Sequence, residues 1–214
     1  MNNVADFLTQ YFEGIELAPA LFYDCKNGIR FEISESVFYD EPGFLKQAFE
    51  RSNALFDAVF ADEDKILLVT NVYTNSTNDF LRRTKLNVYP KYIENKSLLH
   101  NMKFETNPNL HGDEDLMTHR FVLSCEKSDI RYRKLLRAIC HEDFRHSSTI
   151  MKNQQGSGYD IFFINITKNM IFHLYDDRGC DVVAADRESI RYLYERYNEW
   201  ILDYDRETID AKFR

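Results

Sequence analysis

The spacing of apolar residues along this chain changes period several times, and each change marks a new element. In "EPGFLKQAFERSNALFDAVF", residues 41 to 60, Phe44, Leu45, Ala48, Phe49, Leu55, Phe56, Val59 and Phe60 recur at helical spacing, with Pro42 suited to a first helical position. "KILLVTNVY", 65 to 73, is short, branched and apolar, the pattern of a central strand. "HRFVLSCE", 119 to 126, predicts another strand. "SDIRYRKLLRAICHEDF", 128 to 144, predicts a helix capped by Ser128 that turns Tyr132, Leu135, Leu136, Ile139 and Cys140 inward. "YDIFFINI" and "MIFHLYD", joined by Thr167-Lys168-Asn169, predict a hairpin, which "CDVVAA" extends into a meander. From Arg187 onward, Ile190, Leu193, Tyr194, Tyr197, Trp200, Ile201 and Tyr204 share one helix face behind an Asp186 cap, and Trp200 anchors that helix on the sheet. Between two β-rich runs, Asn27-Gly28 predicts a hairpin over 21 to 34 with positive φ at both positions. A short helix is expected near 78 to 86. "ETNPNLHGDEDLM", 105 to 117, is polar and turn-rich, and predicts a long surface loop.

These elements give an α+β fold, a mostly antiparallel sheet built from hairpins with the helices near 43 to 60, 129 to 144 and 187 to 205 packed on one face. The expected organisation is a single domain over 1 to 214, with a candidate internal seam at the loop 105 to 117.

Composition narrows the class. Hydrophobic residues make 44% of the 214 and charged residues 29%, with 7 Gly and 4 Pro, so neither a disordered nor a fibrous chain fits. A formal charge of -8 repels phosphate backbones and anionic lipid, which argues against nucleic-acid and membrane partners and favours a basic protein partner. "MNNVADFLTQYFEG" lacks the basic and apolar regions of a secretory signal, and no apolar run approaches the ~20 residues of a membrane span. Cys25, Cys125, Cys140 and Cys180 form no Cys-x-x-Cys pair and are expected to be reduced core residues of a cytoplasmic protein. The sequence leaves the oligomeric state open.

The candidate chemistry is sparse. In "CHEDFRH", His141 and His146 stand five apart and point about 140° away from each other on a helix, so the zinc-protease arrangement fails. Nucleophile-elbow, P-loop and dinucleotide glycine patterns are absent, "GSG" at 156 to 158 reads as a loop, and no cofactor is expected. The unusual stretch is "FHLYDDRGCDVVAAD", 172 to 186, where Asp176, Asp177, Arg178 and Asp181 crowd a turn between two strands. Asp177-Arg178-Gly179 fits a three-residue hairpin with Gly179 in the left-handed region and an Asp carboxylate on the turn's N–H groups. Strand alternation puts His173, Tyr175 and Asp177 on one side and Phe172, Leu174 and Asp176 on the other. "WILDYDRETIDAKF" adds Asp203, Asp205 and Arg206 beside Trp200 and Tyr204 as a candidate interaction ledge.

"CHEDF", "IFFINITKNMIFHLYDDRGCDVVA" and "YNEWILDYDRETIDAKF", taken in order, resemble a family of uncharacterised bacterial proteins known as a domain of unknown function, with a Tyr-Asp-Asp-Arg-Gly turn and a Trp-x-Leu-Asp-Tyr-Asp-Arg ending. The resemblance covers firmly the last 80 residues or so and carries no established activity; it implies a bacterial cytoplasmic protein, similar in general look to small immunity-type proteins that neutralise toxins by binding. Two readings stand. The first is a non-enzymatic protein-binding module whose binding residues are Tyr175, Asp176, Asp177, Arg178, Asp181, Trp200, Asp205 and Arg206. The alternative is a metal-dependent or acid/base hydrolase using Asp176, Asp177 and Asp181, with His173 or Tyr175 moving protons.

Overall fold

The computed structural model of the protein describes residues 3–35, 43–75, 86–108, 116–144, 150 and 157–214. Its frame is a seven-stranded antiparallel sheet in the order β1-β7-β6-β5-β2-β4-β3. The strands are Gly28–Glu32 (β1), Lys65–Asn75 (β2), Lys103–Pro108 (β3), Leu116–Glu126 (β4), Ser157–Asn165 (β5), Met170–Leu174 (β6) and Gly179–Ala184 (β7). The α-helices are Val4–Tyr11 (α1), Leu21–Asp24 (α2), Phe44–Val59 (α3), Val88–Tyr92 (α4), Tyr132–Ile139 (α5), Arg191–Arg196 (α6) and Arg206–Phe213 (α7). The fold is α+β, and the sheet takes strands from both sides of the 105 to 117 stretch.

Alternation along the strands makes two cores. Ile66, Leu68 and Val72 of β2, Ile161 and Phe163 of β5, Phe172 of β6 and Val182 of β7 point to one face, where Phe56 of α3, Phe60 just after it and Leu135 of α5 meet them. That is the helical face the periodicity predicts. The opposite alternates, Leu67, Val69, Phe162, Ile164, Ile171 and Val183, are covered by Phe7, Leu8, Phe12, Leu17 and Leu21. This second cover was not foreseen. Each of these side chains, fully buried, contributes ~1.5–3 kcal/mol, so the N-terminal segment is part of the framework.

Several expectations need correction. Residues 21 to 34 are not a hairpin: 21–24 form a helical turn, and neither Asn27 nor Gly28 takes a positive φ. Gly28 serves close packing instead, since a Cβ there would stand 3.1 Å from Val183 and 3.2 Å from Phe22. β1 pairs with the distant β7, and Asn27 secures that join through its carbonyl, which accepts from Ala184 N at 2.9 Å. Ser128 does not cap a helix. Glu126 N donates to the Asp129 carboxylate at 2.9 Å, closing a 3-10 turn at Lys127–Asp129, and Ile130 bridges Ile93 before α5 starts at Tyr132. The stretch 105 to 117 is not all loop, because β3 and β4 use both its ends. The helix expected over 187 to 205 is broken: a 3-10 turn at Glu188–Ile190 behind Asp186 leads into α6, and the chain then extends so that Ile201 bridges Phe31 and Leu202 N donates to Arg30 O at 3.0 Å. Pairing that covers the open edge of β1 has overridden helical propensity. Pro42, the Phe44 side chain, His146 and most of the helix expected near 78 to 86 lie outside the described residues. The meander β5-β6-β7 forms as expected, with Asn169 at φ 54° in the first turn.

Candidate functional site

The turn between β6 and β7 divides its charged residues between two places. Asp181 leaves β7 toward the face covered by α1 and α2. It is fully buried there and accepts from Arg30 Nε at 2.8 Å, Arg30 Nη2 at 3.1 Å, Phe22 N at 3.0 Å and the Tyr175 hydroxyl. Arg30 stacks its guanidinium 4.5 Å over the Tyr23 ring and reaches Asp205 at 3.7 Å, and Asp205 in turn accepts from the Tyr23 hydroxyl at 3.1 Å. Burial alone would weaken the Arg30 charge, but the hydrogen bonds and charge of Asp181 outweigh it and hold the guanidinium above its ordinary pKa. Burial, with Asp181 beside it, likewise pushes the Tyr175 hydroxyl up. Tyr175, Asp181 and Asp205 therefore form one saturated network that ties β1, β7, α2 and the chain ahead of α7 together.

Asp176 and Asp177 go elsewhere. Asp176 makes the turn, accepting from Arg178 N at 2.7 Å and from the Arg178 guanidinium. Gly179 is not left-handed; it opens β7, where a Cβ would come within 2.9 Å of the Phe31 carbonyl. The expected alternation therefore fails after Tyr175, and Asp176 and Asp177 come together with Asp143, from the turn that follows α5. One oxygen of each lies within 4.8 Å of the others, close enough for the three to share one ion. Asp177 is fully buried, and neither of its carboxylate oxygens has a hydrogen-bond partner among the described residues. Burial, then the Asp176 and Asp143 carboxylates, raise it to about 6 against the pull of its own backbone N–H and of Arg178.

At the C-terminal ledge, Trp200 is half-buried, 4.7 Å from the Tyr197 ring and under the Arg51 guanidinium at 5.1 Å. Arg206 is occupied by Asp203 at 2.9 Å, Ile201 O at 2.9 Å and Asn198 O at 3.2 Å. What faces water is Tyr204, 85% exposed, with exposed Asp203 and Glu207 near it in the chain and exposed Tyr23 bonded to the buried Asp205.

A polar row across the sheet had gone unnoticed in the sequence. Asp160, Asn71, Arg120 and Glu105 stand in direct register on β5, β2, β4 and β3. Arg120 Nε donates to Asn71 at 2.9 Å, the Asn71 amide donates to Leu17 O at 2.9 Å, and His173 Nε2 meets Asp160 at 3.0 Å. The signal was present in "KILLVTNVY", where Asn71 interrupts an otherwise apolar inner face. The four cysteines are free and buried, as expected, and burial raises the Cys25, Cys125 and Cys140 thiols to about 12. His141 is buried, with its Nδ1 2.7 Å from Arg137 O one turn back. Among the described residues no helix is long and apolar enough to cross a membrane.

Residues 4–205 match the family described as domain of unknown function DUF3885. The chain is similar to the uncharacterized protein YnaE of Bacillus subtilis (strain 168), with 33% identity over 216 residues covering 94% of this chain and 98% of that protein. No solved structure matches it. With both the family match and the relative spanning nearly the whole length, the chain belongs to the DUF3885 family.

Proposed function

We propose that the protein is a non-enzymatic binding module that offers an acidic, aromatic ledge to a basic protein partner. The observation that carries this reading is Tyr204, 85% exposed between the exposed Asp203 and the Asp205 that the exposed Tyr23 hydroxyl bonds, with exposed Glu207 one turn on. An exposed tyrosine brings a large amphipathic contact with little rotamer entropy to lose, and the surrounding acids steer a cationic partner toward it. Beneath it the ledge is stiff: Asp205 is buried against Tyr23 and Arg30, and Arg206 is bonded to the Ile201 and Asn198 carbonyls. A preorganised patch loses less freedom on binding. The net charge of -8 works in the same direction. The partner class is that of an immunity-type protein meeting a basic toxin, in a cytoplasm that keeps the buried thiols reduced. The hydrolase reading has less support, because Arg30, Phe22 N and Tyr175 already occupy the carboxylate of Asp181.

The test is affinity capture from the native cell extract with the wild-type chain and with Tyr204→Ser/Asp203→Asn. A basic protein retained at low salt, released at high salt and bound about tenfold more weakly by the variant is the expected result. Equal retention by both chains, or no protein partner at either salt, contradicts the proposal.

A further inference from the structure

A second site lies apart from the ledge, at the turn itself. Asp143, Asp176 and Asp177 bring carboxylate oxygens within 4.8 Å of one another, and at that spacing ionised carboxylates repel. Arg178 relieves part of this: its guanidinium bonds Asp176 and comes within 3.6 Å of Asp143. Three carboxylates against one guanidinium leave two negative charges uncompensated when all are ionised.

Asp177 is the unusual member. Its side chain is fully buried, and both oxygens lack a hydrogen-bond partner among the described residues. Buried carboxylates are ordinarily paired or hydrogen-bonded, because an unmet one costs several kcal/mol. Ser34 Oγ donates to the Asp177 main-chain carbonyl at 2.8 Å, not to its carboxylate. Ile33 N donates to Arg178 O at 2.9 Å. Both bonds fix the turn's backbone to the chain at the end of β1, so the Asp177 carboxylate is held toward Asp143 and Asp176 rather than left free to turn to water.

We infer that Asp143, Asp176 and Asp177 form a binding site for a hard divalent cation of the calcium or magnesium type. The donors are all carboxylate oxygens, the ligand chemistry of those ions rather than of zinc. Oxygens bonded at ~2.4 Å on opposite sides of a calcium ion stand ~4.8 Å apart, so the spread of the three fits one ion. The two uncompensated charges match a divalent ion. Arg178 occupies the mouth as the competing cation, and with its side chain 62% exposed it can turn out into solvent when the ion enters. The buried Asp177 supplies the inner ligand and Asp143, 55% exposed, the outer one.

The test uses the full chain, stripped with a chelator and titrated near neutral pH with calcium chloride, magnesium chloride or zinc chloride, following thermal midpoint and binding heat. Calcium or magnesium is expected to raise the midpoint, since an ion that binds only the folded form must do so, with half-saturation at roughly 10 µM to 1 mM. Asp177→Asn and Asp143→Asn are each expected to weaken binding at least about tenfold, and Arg178→Gln to strengthen it by about three- to tenfold. Asp203→Asn, on the ledge, leaves it unchanged, which separates this site from the docking surface. Asp143 is exposed and its substitution spares the core, so Asp143→Asn decides the matter if Asp177→Asn does not fold. Absence of heat and midpoint shift with calcium and magnesium, a response to zinc alone, or a calcium response that survives Asp143→Asn would overturn the inference.

Discussion

Asp181→Asn lowers the unfolding free energy by about 3–5 kcal/mol, the cost typical of breaking one partner out of a buried ion pair. Arg30 is the reason. Its side chain is 11% exposed, and Asp181 is its near counter-ion, at 2.8 Å, with Asp205 farther off at 3.7 Å. Removing the charge of Asp181 leaves a desolvated guanidinium and also weakens the acceptor for Phe22 N and the Tyr175 hydroxyl. Arg30→Met costs a similar amount by orphaning Asp181. The double variant Arg30→Met/Asp181→Asn is expected to lose at least about 2 kcal/mol less than the sum of the single changes. Urea unfolding of the four chains measures this, and additive losses would show that the two residues act separately.

Stability is expected to fall as pH rises from about 5 to 9, and Glu142→Gln to remove most of that fall. Burial pushes the Glu142 carboxyl up to about 8, with Asp160, Asp143 and Asp176 adding to the rise and the Tyr159 hydroxyl opposing it. The unfolded chain releases this proton near 4.5. The folded state therefore binds more protons between those values, so the contribution is full below 4.5 and is lost as pH climbs through about 8. At 1.36 kcal/mol per unit the upper bound is ~5 kcal/mol, and partial solvent access brings the expected loss to ~2–3 kcal/mol. Asp57 and Asp64 act at the other end. Burial raises both, but Lys127 and Tyr132 at Asp57, and Lys168, Ala61 N and Asn165 at Asp64, outweigh it and hold each below 3.8, so their contribution is lost only as pH falls below that range. Wild-type stability should peak near pH 5, and the Glu142→Gln curve should keep only the smaller fall that ends near pH 6, where Asp177 ionises, and stay flat from there to pH 9. Parallel curves for the two chains across that range would count against this assignment.

The alternating runs read well because burial on two faces needs no partner information. The β5-β6-β7 meander and α3 follow from local period alone, as does the helical cover of one face. The failed hairpin and the broken C-terminal helix are cases in which a distant strand decides. Asn27-Gly28 looks like a hairpin turn, yet the packing of Gly28 on Val183 and Phe22 puts β1 beside β7. The stripe from Ile190 to Tyr204 looks like one helix, yet the open edge of β1 draws Ile201 into an extended bridge. The Tyr-Asp-Asp-Arg-Gly turn was legible as the odd stretch of the chain, but its division was not. Asp181 turns to Arg30, 151 residues away in sequence, while Asp176 and Asp177 meet Asp143 after α5. No local spacing encodes either meeting.

The division of this turn into a structural acid and an unmet one is tested most directly by unfolding Asp181→Asn and Asp177→Asn side by side in urea, in the presence of a chelator. Asp181→Asn should lose about 3–5 kcal/mol, whereas Asp177→Asn, which removes a buried charge without a partner, should lose less than about 0.5 kcal/mol or gain stability. A loss at Asp177→Asn as large as that at Asp181→Asn would contradict the account.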